Sequence, residues 1–337
     1  MGVLVCLAIS LIAACGSAPA PSNGVEAAPA KTVLTVYSGR GESLVGGLFE
    51  QIPEDAPFEV EVQYGKTSEM VTRLLTEGAQ SPADIIFAQD SGHLGVLADR
   101  GVLATLPRRI TDQVDARFRD SQGRWVGTSG RLRVLVYDSA KLSPAQLPQS
   151  LEELALPKWK GKLGWAPTNG SLHAHVSALR HAWGEGKTRD WLRAVKANQP
   201  TRYPKNSPQV AAANDGAIEL GWVNHYYLHR LKKEGRKAQN WSFPTPRDPG
   251  NLLMVSGVGI RQGSTKVKAA EAFVAWLVSE PVQTYFAQVG FEYPTRPGVP
   301  THGDVPRLTA EQLATVDQTH LADLGPTRTM LTELGLL

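Results

Sequence analysis

The chain has 337 residues, of which 42% are hydrophobic and 20% are charged, as expected for a folded globular protein. This length is sufficient for two lobes with separate cores. Lysine and arginine total 35 against 32 aspartate and glutamate residues, so the formal charge of +3 gives no argument for nucleic acid as a partner.

The amino terminus predicts export. Residues 3–14 form an apolar run that is too short to span a bilayer as a mature helix but suits the apolar region of a secretion signal. The run ends in Ile12-Ala13-Ala14-Cys15, which resembles the lipobox of bacterial lipoproteins, although no Lys or Arg precedes it. We therefore expect residues 1–15 to be a signal peptide and a lipidated Cys15. An ordinary signal with an incidental cysteine is the alternative.

Residues 16–31 are rich in Ser, Pro, Ala, Asn and Gly, which predicts a flexible tether between the membrane and the folded part. Cys6 would leave with the signal and Cys15 would be acylated. The folded part would then contain no thiol, which excludes disulfides and thiolate metal sites. We expect an extracytoplasmic protein, in the periplasm or on the cell surface, that is anchored through lipid only.

The folded part alternates predicted strands and helices. A strand at 33–37 is followed by a loop at 38–43 and an amphipathic helix. A strand, a helix and another strand follow at 58–64, 70–75 and 83–87. This order predicts an α/β fold with a parallel sheet covered on both faces. Because ligands of such sheets bind beyond the carboxyl ends of the strands, we expect the loops at 38–43 and 88–92 to border a crevice.

The middle of the chain contains two features that suit an anion. Arg131 and Arg133 alternate along a predicted strand, so they share a face that needs either an anion or solvent. The Thr168-Asn169-Gly170-Ser171 turn is predicted to cap a helix through about Trp183, and such a turn offers N–H groups and hydroxyls to an anion. Further predicted elements are a strand at 252–260 and helices at 190–198, 207–213, 267–277, 281–289, 309–318 and 327–336.

A pair of adjacent tyrosines follows the predicted strand at 218–223. The segment from Asn224 to about Gly235 predicts a helix, with Asn224 as its N-cap. Tyr226 and Tyr227 would then lie in the first turn, where both hydroxyls can point into one cleft at the electropositive helix end. The alternative is that one tyrosine is in the core and the other on the surface.

Two neighbouring phenols suit a particular ion. A phenol titrates near about pH 10, so it becomes a phenolate at neutral pH only beside a strong positive charge. A hard trivalent cation such as Fe³⁺ supplies that charge, and tyrosine oxygens therefore indicate ferric iron more than Zn²⁺ or Ca²⁺. Such iron prefers about six hard ligands, so carboxylates, water or a bound anion would complete the site.

The sequence lacks the common signatures of enzymes. The Gly-x-Ser-x-Gly elbow, the Walker loop and His-Glu-x-x-His are absent. His225 and His229 are four residues apart and could bind zinc from one helical face, but no Glu occupies the metalloprotease position between them. We interpret both as exposed histidines, and an extracellular zinc hydrolase as the alternative from another class.

Seven short motifs occur in the order and at about the spacing of the ferric-iron-binding proteins of bacterial ABC importers. The chain resembles that family over nearly all of residues 32–337. The motifs are Thr35-Val36-Tyr37-Ser38-Gly39, Ser81-Pro82-Ala83-Asp84, Ser129-Gly130-Arg131-Leu132-Arg133-Val134, Pro157-Lys158-Trp159-Lys160-Gly161, Lys205-Asn206-Ser207, Asn224-His225-Tyr226-Tyr227 and Arg247-Asp248-Pro249-Gly250.

The resemblance implies a type II periplasmic-binding-protein-like fold with two α/β lobes and a hinge. Lobe 1 would comprise 32–131 and 254–303, and lobe 2 would comprise 132–253 and 304–337, with the hinge strands crossing near Arg131 and Met254. The implied function is capture of Fe³⁺ between the lobes and delivery to an ABC permease, by a monomer and without catalysis.

The family's tyrosine pair falls on Tyr226 and Tyr227. Where relatives bind an anion beside the iron, such as carbonate, phosphate or citrate, the contacts would fall on Arg131 and on the polar residues Thr168, Asn169, Gly170, Ser171, Asn206 and Asn224.

The first lobe departs from the family pattern. The family's His or Tyr ligand meets Gly41 and Glu42 here, and its Glu ligand meets Gln89, so Glu42 or Asp90 would have to supply an oxygen to the metal. This departure leaves open a binding protein for another small solute, either a phosphonate-type anion or a polyamine.

Overall fold

Ten strands form one mixed sheet in the computed structural model, which describes residues 1–2, 30–231, 234–306 and 309–337. The sheet lies within one compact unit, Lys31–Leu337. Its strands are β1 (Thr32–Ser38), β2 (Phe58–Tyr64), β3 (Ile85–Ala88), β4 (Val126–Asp138), β5 (Leu163–Trp165), β6 (Thr201–Arg202), β7 (Leu220–Asn224), β8 (Ala238–Trp241), β9 (Leu253–Ile260) and β10 (Tyr293–Pro294).

Helices connect and cover these strands. They are α1 (Glu42–Phe49), α2 (Thr67–Glu77), α3 (Ser91–Asp99), α4 (Arg108–Thr111), α5 (Gly170–Trp183), α6 (Glu185–Ala197), α7 (Asn206–Asn214), α8 (Tyr226–His229), α9 (Val267–Leu277), α10 (Glu280–Gln288) and α11 (Leu324–Glu333). Within the described ranges, no helix has the length and apolarity needed to cross a membrane.

The sheet is mixed, so the predicted all-parallel sheet is wrong. The strand order is β2-β1-β3-β9-β4-β7-β5-β6, with β8 and β10 also paired to β4. The outer triplet β2-β1-β3 and the pairs β7-β5 and β5-β6 are parallel, whereas β9 is antiparallel to both β3 and β4, and β4 is antiparallel to β7. A buried apolar run predicts a strand but contains no information about its direction, and mixed sheets are common among large sheets.

The long strand β4 links the two halves of the sheet, and all thirteen of its residues are buried. It pairs with β9 as far as Leu132 and with β7 from Arg133 onward. Arg131 is directly opposite Met254 in β9, the two positions where the sequence predicts the hinge. The division into two lobes with those boundaries stays a prediction.

Two predicted helices near the carboxyl terminus differ from the structure. Residues 309–317 form turns and irregular chain, and the next element is a 3₁₀ turn at Gln318–Ala322. The backbone N–H of Ala314 donates to the carbonyl oxygen of Asn251, so a tertiary contact replaces the helical hydrogen bond in this segment. The last helix is Leu324–Glu333, three residues earlier than predicted.

Arg40 and Glu292 form a buried ion pair that we expect to be important for stability. The Arg40 Nη2 to Glu292 Oε1 distance is 2.6 Å, and both side chains are almost inaccessible. Replacing Glu292 with Gln removes the partner charge of a buried guanidinium group, which should lower the free energy of unfolding by about 3–5 kcal/mol. Urea denaturation measures this change.

The exposed pair of Arg193 and Asp190, whose side chains are 58% and 75% accessible, is the matched control. Arg193→Ala should leave the urea midpoint nearly unchanged, because solvent screens such pairs. Equal midpoint shifts for Glu292→Gln and Arg193→Ala would contradict the importance assigned to the buried pair.

Candidate metal and anion site

The two tyrosines lie side by side at the end of β7. Tyr226 and Tyr227 open α8, their ring centroids are 4.4 Å apart, and the ring planes are inclined by 32°. Tyr226 is 2% exposed and Tyr227 is half-buried. The predicted helix to Gly235 is wrong, because α8 ends at His229 after a single turn. The two rings nevertheless lie against each other, and the assignment of both to one site stays a prediction.

The environment of Tyr227 keeps its phenol protonated in the absence of a ligand. Burial raises the pKa of Tyr227 well above 10, and the neighbouring Tyr226 raises it further. The positive charge of Arg131 and a hydrogen bond with Asn206 act in the opposite direction, but they do not outweigh burial. Deprotonation at neutral pH therefore needs an additional cation close to the oxygen.

Two buried arginines of β4, Arg131 and Arg133, interact electrostatically with this tyrosine pair. Arg133 is fully buried, and its guanidinium donates to Asn224 Oδ1 at 2.9 Å, to the Trp222 carbonyl oxygen at 3.0 Å and to Ser171 Oγ at 3.3 Å. Burial lowers the pKa of Arg133 to about 9, so the group is still charged at neutral pH. Arg131 is 4% exposed and donates to the Gln89 carbonyl oxygen. Their hydrogen bonds are to neutral acceptors, which leaves positive charge available to an anion.

The turn before α5 has the predicted capping geometry. The side-chain oxygen of Asn169 accepts from the Ser171 backbone N–H at 3.0 Å and from Ser171 Oγ at 2.5 Å. Asn206, at the start of α7, donates from Nδ2 to Ser171 Oγ at 3.3 Å. Thr168 and Gly170 are exposed in the same turn. Ser171 is thus the link between the α5 turn, Arg133 and Asn206.

Asn224 has a different structural role from the one predicted. It is the last residue of β7, paired opposite Arg133, and the residue in the N-cap position of α8 is His225. The side chain of Asn224 is turned toward the Arg133 guanidinium, so this hydrogen bond replaces capping of the helix.

The predicted exposure of the histidine pair is wrong. His225 is 0% exposed; its Nδ1 accepts from the Leu132 backbone N–H at 3.1 Å, and its Nε2 bonds the Phe291 carbonyl oxygen at 2.6 Å. Both ring nitrogens are therefore occupied by backbone groups. His229 is half-buried and stacks on the Phe291 ring at 4.8 Å between centroids. His225 has no free nitrogen for zinc, which removes the basis of the hydrolase alternative.

A cleft of about 340 Å³ lies between the start of α5 and the loops that follow β1 and β3. It collects the predicted residues Asp90, Arg131, Gly170 and Ser171 with the amino-terminal ends of α2, α3 and α5. Its lining is formed by Gly39, Lys66, Thr67, Ser68, Gln89, Asp90, His93, Arg131, Gly170, Ser171, Ala174, Met254, Leu321 and Leu324. The cleft borders the loops after β1 and β3, as expected from the sequence. Asn206 connects it to Tyr227, because Asn206 bonds both Tyr227 and Ser171.

The two candidate carboxylates are in different surroundings. Glu42 is exposed at the start of α1. Burial raises the pKa of Tyr64, and the negative charge of Glu42 raises it further. Asp90 lines the cleft and caps α3, with Oδ1 accepting from the His93 backbone N–H at 3.1 Å and bonded to His93 Nδ1 at 2.7 Å. Burial opposes ionisation of Asp90, but His93 and Arg131 hold its pKa below the usual value.

Sequence reasoning missed four polar residues of the cleft: Lys66, Thr67 and Ser68 at the start of α2, and His93 in the first turn of α3. The spacing of Asp90 and His93, three residues apart at a helix start, was the available signal, because a residue at that distance from an N-cap can reach back to it.

The fold is that of a solute-binding protein. Residues 80–318 match the family of bacterial extracellular solute-binding proteins, and the chain belongs to that family. The mixed α/β sheet is that of a type II periplasmic binding protein, which confirms the predicted fold class.

The relatives support the predicted resemblance in detail. The Fe(3+)-binding periplasmic protein of Serratia marcescens is 32% identical over 93% of this chain and 94% of its own length. Iron uptake protein A1 of Synechocystis sp. is 30% identical over 94% of this chain and 89% of its own length. The iron-bound HitA structure from Pseudomonas aeruginosa has a TM-score of 0.80 at 29% identity and covers 90% of this chain and all of that one. The resemblance to ferric-iron-binding proteins is thus confirmed.

His225 should be required for the structure around the tyrosine pair. His225→Leu leaves the Leu132 N–H and the Phe291 carbonyl oxygen without their side-chain partner, which should cost about 1–3 kcal/mol for each unpaired group. Urea denaturation of the purified protein measures this loss. His181, a partly exposed histidine of α5, provides the control, since His181→Leu should have a much smaller effect. Equal effects of the two substitutions would contradict a structural role for His225.

Proposed function

We propose that this protein captures ferric iron outside the cytoplasmic membrane and delivers it to an ABC permease, without catalysis. The observation that carries the proposal is the pair of adjacent phenols, buried Tyr226 and half-buried Tyr227, together with the positive charge of Arg131, which acts on Tyr227 and lines the cleft. The names of the relatives from Serratia marcescens and Synechocystis sp. point to the same cargo.

The physical argument rests on protonation. Tyr227 is a neutral phenol until a cation lowers its pKa, and Fe³⁺ does so because a hard trivalent ion stabilises phenolate strongly. Two phenolates leave about four of the six positions of ferric iron open. We propose that the side of the cleft containing Asp90 contributes a further ligand and that a small anion contributes others.

The anion would be held by Arg131 and by the α5 turn. Arg131 lacks a carboxylate hydrogen-bond partner among the described residues, and the backbone N–H groups at the start of α5 suit an anionic oxygen. Carbonate, phosphate and citrate all have such oxygens. In this arrangement Thr168, Gly170 and Ser171 face the anion, while Asn169, Asn206 and Asn224 support the turn and Arg133.

Delivery requires that the site opens. We propose two lobes, 32–131 with 254–303 and 132–253 with 304–337, that close on iron and open at the permease. The segment where β4 changes its partner from β9 to β7 would be the hinge. In this scheme the ligand shifts an equilibrium between open and closed states.

We also propose that Cys15 anchors the protein to the membrane through lipid and that residues 16–31 form the tether. Cys15 and most of the tether lie outside the described residues. This part of the proposal rests on the apolar run and on the motif that ends in Cys15.

The second candidate is an importer component for another small anion, such as a phosphonate. The buried positive charge of Arg131 favours it. The same charge, with Lys66 on the cleft wall, disfavours a polyamine, because like charges repel.

Loading with Fe³⁺ should produce a visible phenolate-to-iron charge-transfer band in the purified protein. Tyr226→Phe and Tyr227→Phe should each weaken the band and lower iron affinity by at least about tenfold, since loss of a ligand costs no less than loss of an outer-shell partner. The double variant should lack the band. Titration with a competing chelator measures the affinity.

Tyr285→Phe is the matched control, because Tyr285 is a partly buried tyrosine of α10 outside the cleft. It should keep both the band and the affinity. A band that survives in the double variant would refute the assignment of Tyr226 and Tyr227, and absence of any band in the unmodified protein would favour the anion candidate.

Expression of the full chain in a bacterial host tests the anchor. The unmodified protein should incorporate labelled fatty acid and sediment with membranes. Cys15→Ala should abolish incorporation because the acylated thiol is gone. Cys6→Ala, a change inside the proposed signal, should behave like the unmodified protein. Incorporation that is independent of Cys15 would disprove this anchor.

A further inference from the structure

His93 and Asp90 form a fixed pair on the wall of the cleft. One carboxylate oxygen, Asp90 Oδ1, bonds both His93 Nδ1 at 2.7 Å and the His93 backbone N–H at 3.1 Å. A carboxylate oxygen only accepts hydrogen bonds, so Nδ1 must carry the hydrogen. The His93 side chain is 15% exposed, so packing limits the orientation of its ring.

The other ring nitrogen is then a lone-pair donor. With hydrogen on Nδ1, the neutral imidazole has its free lone pair on Nε2. His93 Nε2 has no hydrogen-bond partner among the described residues, and the side chain lines the cleft. Histidines that bind metals almost always donate their second ring N–H to a carboxylate or carbonyl, which fixes the tautomer and raises ligand basicity.

The other histidines near the site lack this geometry. Both ring nitrogens of His225 bond backbone groups. His175 is 0% exposed with Nε2 bonded to the Pro249 carbonyl oxygen, and His173 Nε2 bonds the Pro167 carbonyl oxygen. Of the histidines discussed for this site, His93 alone combines a carboxylate on one nitrogen with an unpaired nitrogen on the cleft wall.

We infer that His93 Nε2 is a ligand of the bound ferric iron and that Asp90 positions it. This inference rests on the proposed function. It names the iron ligand that the start of α3, after β3, contributes opposite the tyrosines that follow β7. Imidazole is a suitable ligand for iron. Asp90 Oδ1 accepts two hydrogen bonds from His93, so in this arrangement the carboxylate orients the ring, and exposed Glu42 is not required.

The charges agree with this assignment. Two phenolates and one neutral imidazole leave a net charge of about +1 on Fe³⁺. The negative Asp90 and a bound anion beside Arg131 balance the remaining charge of the ion and the guanidinium. Neither a third phenolate nor a carboxylate ligand from the α3 side is therefore needed for neutrality.

Pulsed electron paramagnetic resonance of the protein loaded from ferric nitrilotriacetate tests the inference, with histidine labelled by ¹⁵N. The unmodified protein should show coupling between high-spin Fe³⁺ and an imidazole nitrogen. His93→Gln should lose this coupling and lower iron affinity by about 10–100-fold, measured against a competing chelator. The phenolate-to-iron band should remain, since the tyrosines are unchanged.

Asp90→Asn should keep the coupling but alter its magnitude, because an amide oxygen orients the ring while a weaker acceptor lowers the basicity of Nε2. A role limited to folding would not change that signal. His181 also bonds an aspartate, Asp323, so His181→Gln is the control. This substitution should leave the nitrogen coupling and the iron affinity unchanged. Urea midpoints of all variants establish that each one is folded.

The two proposals fail in different ways. Absence of both the band and tightly bound iron in the unmodified protein overturns the proposed function, and the role of His93 with it. A normal band without nitrogen coupling, a coupling that persists in His93→Gln, or unchanged affinity in that variant overturns the assignment of His93 while iron binding stands.

Discussion

The burial of positive charge in β4 is the constraint on which the site depends. Arg133 is fully buried, and burial of a guanidinium is costly unless hydrogen-bond acceptors surround it. Both of its Nη groups have acceptors, whereas Nε has none among the described residues. Its acceptors come from β7 and from the start of α5, namely the Trp222 carbonyl oxygen, Asn224 and Ser171. Satisfying one buried cation therefore fixes the end of β7, and the tyrosine pair follows two residues later.

Two further buried arginines, Arg40 and Arg131, have different roles: the first stabilises the fold, and the second is available to a ligand. Arg40 has a carboxylate partner in Glu292 and a hydroxyl partner in Ser129, so its charge is neutralised within the fold. Arg131 has instead a backbone carbonyl and a place on the cleft wall. Arg131 also acts electrostatically on Asp90 and Glu292, but no carboxylate is hydrogen-bonded to it among the described residues, and its charge favours the phenolate of Tyr227.

Local patterns predicted much of this site, and tertiary contacts account for what they missed. The cap at Asn169 was predictable because its hydrogen bonds are to Ser171, two residues away. The roles of His225 and Asn224 were not predictable. His225 bonds Leu132 and Phe291, and Asn224 bonds Arg133, and these partners are 66 to 93 residues distant in the chain. His93 was missed for a different reason. Its bond to Asp90 is local, but the cleft beside that pair is assembled from seven separate segments of the chain.

The sequence by itself determined the alternation of strands and helices, the adjacency of Tyr226 and Tyr227, the membership in a binding-protein family and the expectation of export. These follow from periodicity, from neighbouring positions and from motifs, all of which are properties of the chain. Only the tertiary structure decided the direction of β9 in the sheet, the burial of His225 and the meeting of Asp90, Arg131 and Ser171 in one cleft. The reason is that pairing direction and burial depend on which distant segments come together, and residue spacing along the chain does not specify those partners.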